Sequence, residues 1–176
     1  MTTSFSLRTL SRDDILHHLP ALSEILASCV NGGASVSFML PFAPQTAITF
    51  WQRTADSVAA GERIVLAAFD AEERPVGTVQ LITSQPENQP HRADVAKLLV
   101  HQNVRRQGIA QALMSELERI ARRERKTVLA LDTATGSGAE QFYARCGWEK
   151  VGEIPRYALM PDGEMTATSL FYKFLP

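Results

Sequence analysis

The stretch VRRQGIA at 104–110 puts two arginines and a glutamine just ahead of a glycine, between an apolar run (Val95, Leu98, Leu99, Val100) and the helix-like sequence QALMSELERIARR. The N-terminal end of a helix carries partial positive charge, so cations there cost roughly 0.3–1 kcal/mol each. The first N–H groups of a helix also leave that end without intrahelical partners. Arg105 and Arg106 suit such a place if an anion comes to rest on it. Gly108 would let a ligand approach the main chain closely, the N–H groups beside it can cradle phosphate oxygens, and the arginines can add charge-assisted bonds. Two phosphate loops are excluded, because neither a glycine-lysine-serine/threonine ending nor GxGxxG occurs. The residues alone leave open a solvated charged turn before an amphipathic helix.

Two carboxylates are placed to accept a proton. Asp94 lies on the strand before Leu98, and Asp132 ends the next central strand, where open α/β sheets hold ligands. Each is also explained as a strand-end or solvated carboxylate. His101 has a suitable ionisation range but reads as a turn residue facing solvent, and His17 and His18 read as structural. Cys29 and Cys146 are far apart and read as reduced thiols in apolar helical surroundings. Histidine, cysteine and acidic spacings supply no metal ligand set. A net charge of −1 gives no field for nucleic acid, and the cluster RRERK (122–126) suits the negative end of a helix.

These residues need a scaffold, and 176 residues suffice for one domain, 1–176, with a substantial core. MTTSFSLRTLSRDD has no apolar leader region, and no apolar run approaches ~18 residues, so the expectation is a cytoplasmic protein without a membrane segment. Alternation over Phe5–Thr9 gives a first strand. Ser11 opens a helix through Cys29 that Pro20 bends or divides, and Asn31-Gly32-Gly33 ends it. A second helix runs from about Gln45 to Ala60, followed by strands over 63–70, 76–84 and 92–100. The helix after VRRQGIA presents Ile109, Leu113, Leu117 and Ile120 on one face. A buried strand (128–132), a short helix (139–146) and strands over 148–151 and 169–174 complete the chain. The order β-α-α-β-β-β-α-β-α-β-β describes a mixed α/β (α+β) sheet covered by helices.

In that order, LLVHQNVRRQGIAQALMSELE resembles the pyrophosphate-binding segment of the GCN5-related N-acetyltransferase superfamily, [Q/R]-x-x-G-x-[G/A], with Arg105, Gly108 and Ala110 in its defined places. AEQFYARCGWEKVG (139–152) is similar to the family's tyrosine segment, with Ala139, Tyr143, Gly147 and Trp148 in register. The likeness extends over essentially the whole chain and implies the acyl-CoA N-acyltransferase fold, with acetyl-CoA as co-substrate and no metal.

The resemblance implies further that the sheet opens beside the strand before the turn. Pantetheine would lie against Leu98, Leu99 and Val100, with the pyrophosphate on Arg105, Arg106, Gln107, Gly108, Ile109 and Ala110. Ser137 and Phe142 would complete the cofactor site. A free amine would attack the thioester directly, Tyr143 serving as the acid for the leaving thiolate and Asp94 or Asp132 as the base. Two departures stand out: Gly136 replaces a frequent asparagine, a loss Ser137 or a backbone group would offset, and Arg106 occupies a place where glycine is common.

Substrate residues are expected in NGGASVSFMLPFAP, with Gly33, Ser35 and Phe38 foremost. Together with RADVAKLLV, LALDTATGSGAEQFY and VGEIPRYALMPDG, this segment resembles the tabtoxin-resistance acetyltransferase branch. That implies a small amine, amino-acid-like or β-lactam-bearing. The alternatives are a non-catalytic acyl-CoA sensor, favoured by Gly136, and a protein or peptide N-acetyltransferase, which needs an open groove. A homodimer through exposed strands is compatible with the sequence.

Overall fold

A computed structural model describes residues 4–176. Its elements are β1 (Ser6–Leu10), α1 (Arg12–His17), α2 (Leu19–Asn31), α3 (Pro44–Ala59), β2 (Arg63–Phe69), β3 (Pro75–Ile82), β4 (Arg92–Val100), a 3-10 turn (Gln102–Val104), α4 (Ile109–Arg123), β5 (Val128–Ala134), α5 (Gly138–Arg145), β6 (Glu149–Leu159) and β7 (Met165–Phe174). The order read from the sequence is the order observed. Ser11 and Asp14 form a reciprocal capping box at the start of α1. Pro20 sits in the first turn of α2, so the first helix is divided at His18 rather than bent.

Seven strands form one sheet in the order β1-β2-β3-β4-β5-β7-β6. Its helix-covered faces make two cores. Leu113, Met114 and Leu117 of α4 pack with Val79, Leu81 and Leu129 on one face. Leu22, Ile25 and Leu26 of α2 and Trp51 of α3 pack with Val65, Ala67 and Phe69 on the other.

Two irregularities near the middle of the sheet prepare a site. The parallel pair β4–β5 is joined only along Arg92–Asp94 and Val128–Ala130, although both strands continue. Beyond Asp94 and Ala130 they therefore diverge, leaving a wedge open between them. On the other side of β4, Thr78 pairs with Leu99 and Gln80 with Ala96, so Lys97 and Leu98 stand opposite Val79 alone. This is a β-bulge, and its first residue, Lys97, has φ 55°.

The last two strands differ from the expected short ones. β6 and β7 form a long hairpin over 149–174 that turns at 160–164. Register shifts at Lys150/Gly152 and Ile154/Ala158, together with an almost wholly exposed β6, erase the inside–outside alternation on which strand reading depends.

Candidate active site

The wedge is the inner end of a cleft of about 1220 Å³ that runs from the turn 104–111 to the hairpin residues 157–160. At its outer end Arg106 has φ 64° and Gly108 φ 79°, and Gly108 is the N-cap of α4 with no side-chain cap. A methyl group built on Gly108 meets nothing within 4 Å, so the main chain there faces open space. Among the described residues, the N–H groups of Arg105 to Gln111 donate to no backbone or side-chain acceptor. Unpaired donors of a helix first turn at an open, glycine-lined mouth with Arg105 and Arg106 beside them are the features an anionic diphosphate requires. Arg105 is steadied by a bond from its Nη1 to Gln102 Oε1, 3.2 Å. The donor set fits coenzyme A.

Along the wall, Leu98 and Val100 line the cleft. The Cys29 thiol donates to the Val100 carbonyl at 3.4 Å, so that backbone acceptor faces the cleft side. Leu99, expected beside the cofactor, instead points into the core under α2 and is 1% exposed; strand alternation forces this, since neighbours of Leu98 and Val100 face the other way. Gln107 is exposed at the turn and does not line the cleft. Ile109, Ala110, Ser137 and Phe142 do. Ser137 donates its hydroxyl to the Ala134 carbonyl at 2.8 Å, which leaves its oxygen free to accept. Gly136, at φ 82°, gives its N–H to Glu140 Oε2 at 3.0 Å.

Tyr143 and Asp132 both line the cleft. Tyr143, on α5, packs among Phe142, Trp148 and Phe171 and reaches the cleft wall. Burial pushes its ionisation up to about 12, and the negative ends of Cys146 and Asp132 add to the effect. The phenol thus stays protonated at any physiological pH. Asp132 lies on β5 just past the last residue paired with β4 and accepts a bond from Thr168 Oγ1 at 2.7 Å. Asp94 is elsewhere. Its carboxylate is held by Arg92 and by Gln85 Nε2, 3.0 Å, at the joined end of the strands, and it does not line the cleft.

Of the expected substrate residues, Gly33 and Ser35 line the cleft wall, whereas Phe38 lines a separate cavity of about 400 Å³ with Phe50 and Arg63. One residue escapes sequence reading altogether. Lys97 projects from the β4 bulge into the cleft, where burial pulls its ionisation down, opposed by Asp132, with Arg63 adding to the fall. RADVAKLLV reads as a regular strand, and a bulge without glycine leaves no sequence mark; a lysine within an otherwise apolar run was the one signal.

A β4–β5 pair that opens, a glycine-lined turn of unpaired N–H groups and a buried phenol share one cleft. Residues 26–148 match the model of the acetyltransferase (GNAT) family, and the chain belongs to that family: it is an acetyl-CoA-dependent acyltransferase. Solved structures agree in fold. An N-acetyltransferase from Staphylococcus aureus Mu50 is 13% identical at a TM-score of 0.79, over 99% of this chain and 100% of that one. A ribosomal-protein-alanine N-acetyltransferase from Brucella melitensis is 22% identical at 0.76, over 97% and 99%. A protein from Salmonella typhimurium described as an acetyltransferase, solved with its cofactor acetyl-CoA, is 15% identical at 0.78, over 99% and 95%. Among the described residues there is no group of three or more His, Cys, Asp or Glu placed to hold a metal ion, and no helix is long and apolar enough to cross a membrane.

Proposed function

We propose that the protein transfers the acetyl group of acetyl-CoA to the amine of a small molecule by direct attack, with Tyr143 as the acid and Asp132 as the base. The observation that carries this reading is that one cleft joins the unpaired N–H groups of the 105–111 turn to Tyr143 and Asp132. The donor supplies the thioester; the chain supplies position, a dry wall and proton transfer.

In this reading Arg105, Arg106 and the N–H groups before and within α4 hold the diphosphate, and the main chain of Leu98 and Val100 holds the pantetheine arm. Asp132, bonded to Thr168 but with carboxylate capacity to spare, takes the proton from the incoming ammonium, directly or through water. Tyr143 gives its proton to the departing sulfur. Asp94, occupied by Arg92 and Gln85 outside the cleft, is set aside as the base.

The cleft suits a small acceptor. Gly33, Ser35 and Met39 from the α2–α3 connection and Tyr157 to Met160 from the hairpin border the wedge. Both segments line the same cleft, and in this reading they bound a pocket for a small acceptor rather than a groove for a protein. The segments quoted for the tabtoxin-resistance branch include these same walls, which supports an amino-acid-like or β-lactam amine. The test is amine-dependent release of free thiol from acetyl-CoA. Tyr143→Phe should lower kcat about 100-fold or more with acetyl-CoA affinity preserved. Full turnover in that variant, with chemistry limiting, would remove Tyr143 from the mechanism.

A further inference from the structure

The apex of the wedge holds one positive and one negative side chain on its two diverging strands. Lys97 projects from the β4 bulge, and Asp132 from β5. Asp132 has its bond from Thr168. Among the described residues Lys97 has no carboxylate partner within ion-pair distance, and its one hydrogen bond goes to Ser37 Oγ at 3.3 Å. A half-buried ammonium with a single hydroxyl partner is placed to receive an anion that enters the cleft. Ser35, on the same wall, makes no side-chain bond to another described residue.

Arg63 donates at 2.8 Å to Ser57 Oγ and to Gln80 Oε1 and lines the neighbouring cavity, so Lys97 is the cation that the cleft wall itself offers beside Ser35 and Ser37. Lys97 and Ser37 are both held at positive φ, 55° and 81°, a conformation that costs a non-glycine residue about 1–2 kcal/mol and that persists where surrounding structure enforces it.

We infer that the acceptor amine also carries a carboxylate, received by Lys97 with the hydroxyls of Ser35 and Ser37, while Asp132 receives its ammonium group. The acceptor is then a zwitterion of the amino-acid class. Opposite charges on the two diverging strands favour it over simple amines. This deepens the acetyl-transfer reading and rests on it.

The experiment compares, on the full chain with acetyl-CoA, α-, β- and γ-amino acids with the amines left when their carboxylate is removed. At least one carboxylated member should exceed its decarboxylated counterpart about 10- to 100-fold in kcat/KM, the range of one charge-assisted bond. Lys97→Met should collapse that ratio toward one through KM, and Lys97→Arg should restore part of it, with thermal unfolding confirming that both variants fold. If amines release thiol regardless of carboxylate, or the ratio survives Lys97→Met, this inference is overturned while acetyl transfer stands. If no amine in the panel releases thiol, this inference is overturned, and the acetyl-transfer reading then stands or falls with acetyl-CoA binding and with other amines.

Discussion

Lys97 Nζ lies 3.3 Å from Ser37 Oγ, and the two residues, from β4 and from the α2–α3 connection, share left-handed backbone at φ 55° and 81°. The bond ties the substrate-side connection to the central sheet at the point where β4 and β5 part. Ser37 is exposed and Lys97 half-buried, and the Lys97 angle is that of the β4 bulge. Arg106, at φ 64°, is a third such residue on the cleft, whereas Glu73, Arg125 and Arg156 hold left-handed backbone away from it. Ser37→Gly removes both the strain and the hydroxyl. It should leave the unfolding free energy within about 1 kcal/mol of wild type, or raise it, while raising KM for carboxylated amines. A clear loss of stability with unchanged KM would make the pair a structural tie only.

Two glycines near α4 should fail for different reasons. At Gly77 an added Cβ would stand 3.0 Å from Ile109 Cγ2, 3.2 Å from the Leu99 carbonyl and 3.3 Å from Leu113 Cδ1. Gly77→Ala should therefore destabilise by about 1–3 kcal/mol through overpacking. At Gly108 nothing is near, but φ is 79°, so Gly108→Ala costs about 1–2 kcal/mol by backbone strain alone and redirects the turn's N–H groups. Urea denaturation reads the first effect in both variants. Acetyl-CoA titration should show at least a tenfold loss in Gly108→Ala.

Arg106 answers to the same test in reverse. It holds φ 64° where glycine would be free of strain. Arg106→Gly should keep or slightly raise stability and weaken acetyl-CoA binding, with the loss shrinking as salt is raised. Binding unchanged at low salt would leave Arg106 without a role.

Tyr143 makes stability depend on alkaline pH. Its ionisation, ordinarily near 10, is pushed up to about 12 by burial and the nearby negative groups. The unfolded chain therefore loses this proton first. The contribution is complete below pH 10 and is lost as pH rises from 10 to 12, about 2–3 kcal/mol in all. Lys97, whose ionisation is lowered, acts with the opposite sign, so the difference between wild type and Tyr143→Phe isolates the tyrosine. Urea midpoints at pH 9 and 11 should fall less in the variant; parallel falls would contradict the shift.

The sequence reading succeeded where local rules and tertiary demands agree. Arg92–Val100 and the start of α4 at Ile109 stand where alternation and the glycine put them. It failed where geometry is not written in residue type. Lys97 turns inward because of a bulge that RADVAKLLV does not advertise. Asp94 is engaged by Gln85, nine residues away in sequence, on a loop that spacing cannot fold back. Phe38 and Ser37 are adjacent yet line different cavities, since the connection crosses the wall between them. β6 was cut short at Val151 because an exposed, bulged strand buries neither face.

The central claim is that the turn at 105–110 and the cleft behind it bind acetyl-CoA. Calorimetric titration with acetyl-CoA, on the wild type and on the Arg105→Ala, Arg106→Ala double variant, tests it directly. The account predicts saturable one-to-one binding that weakens at least tenfold in the variant and falls with added salt. No binding by the wild type would reduce VRRQGIA to a charged turn, and Tyr143 and Asp132 would lose their assigned roles with it.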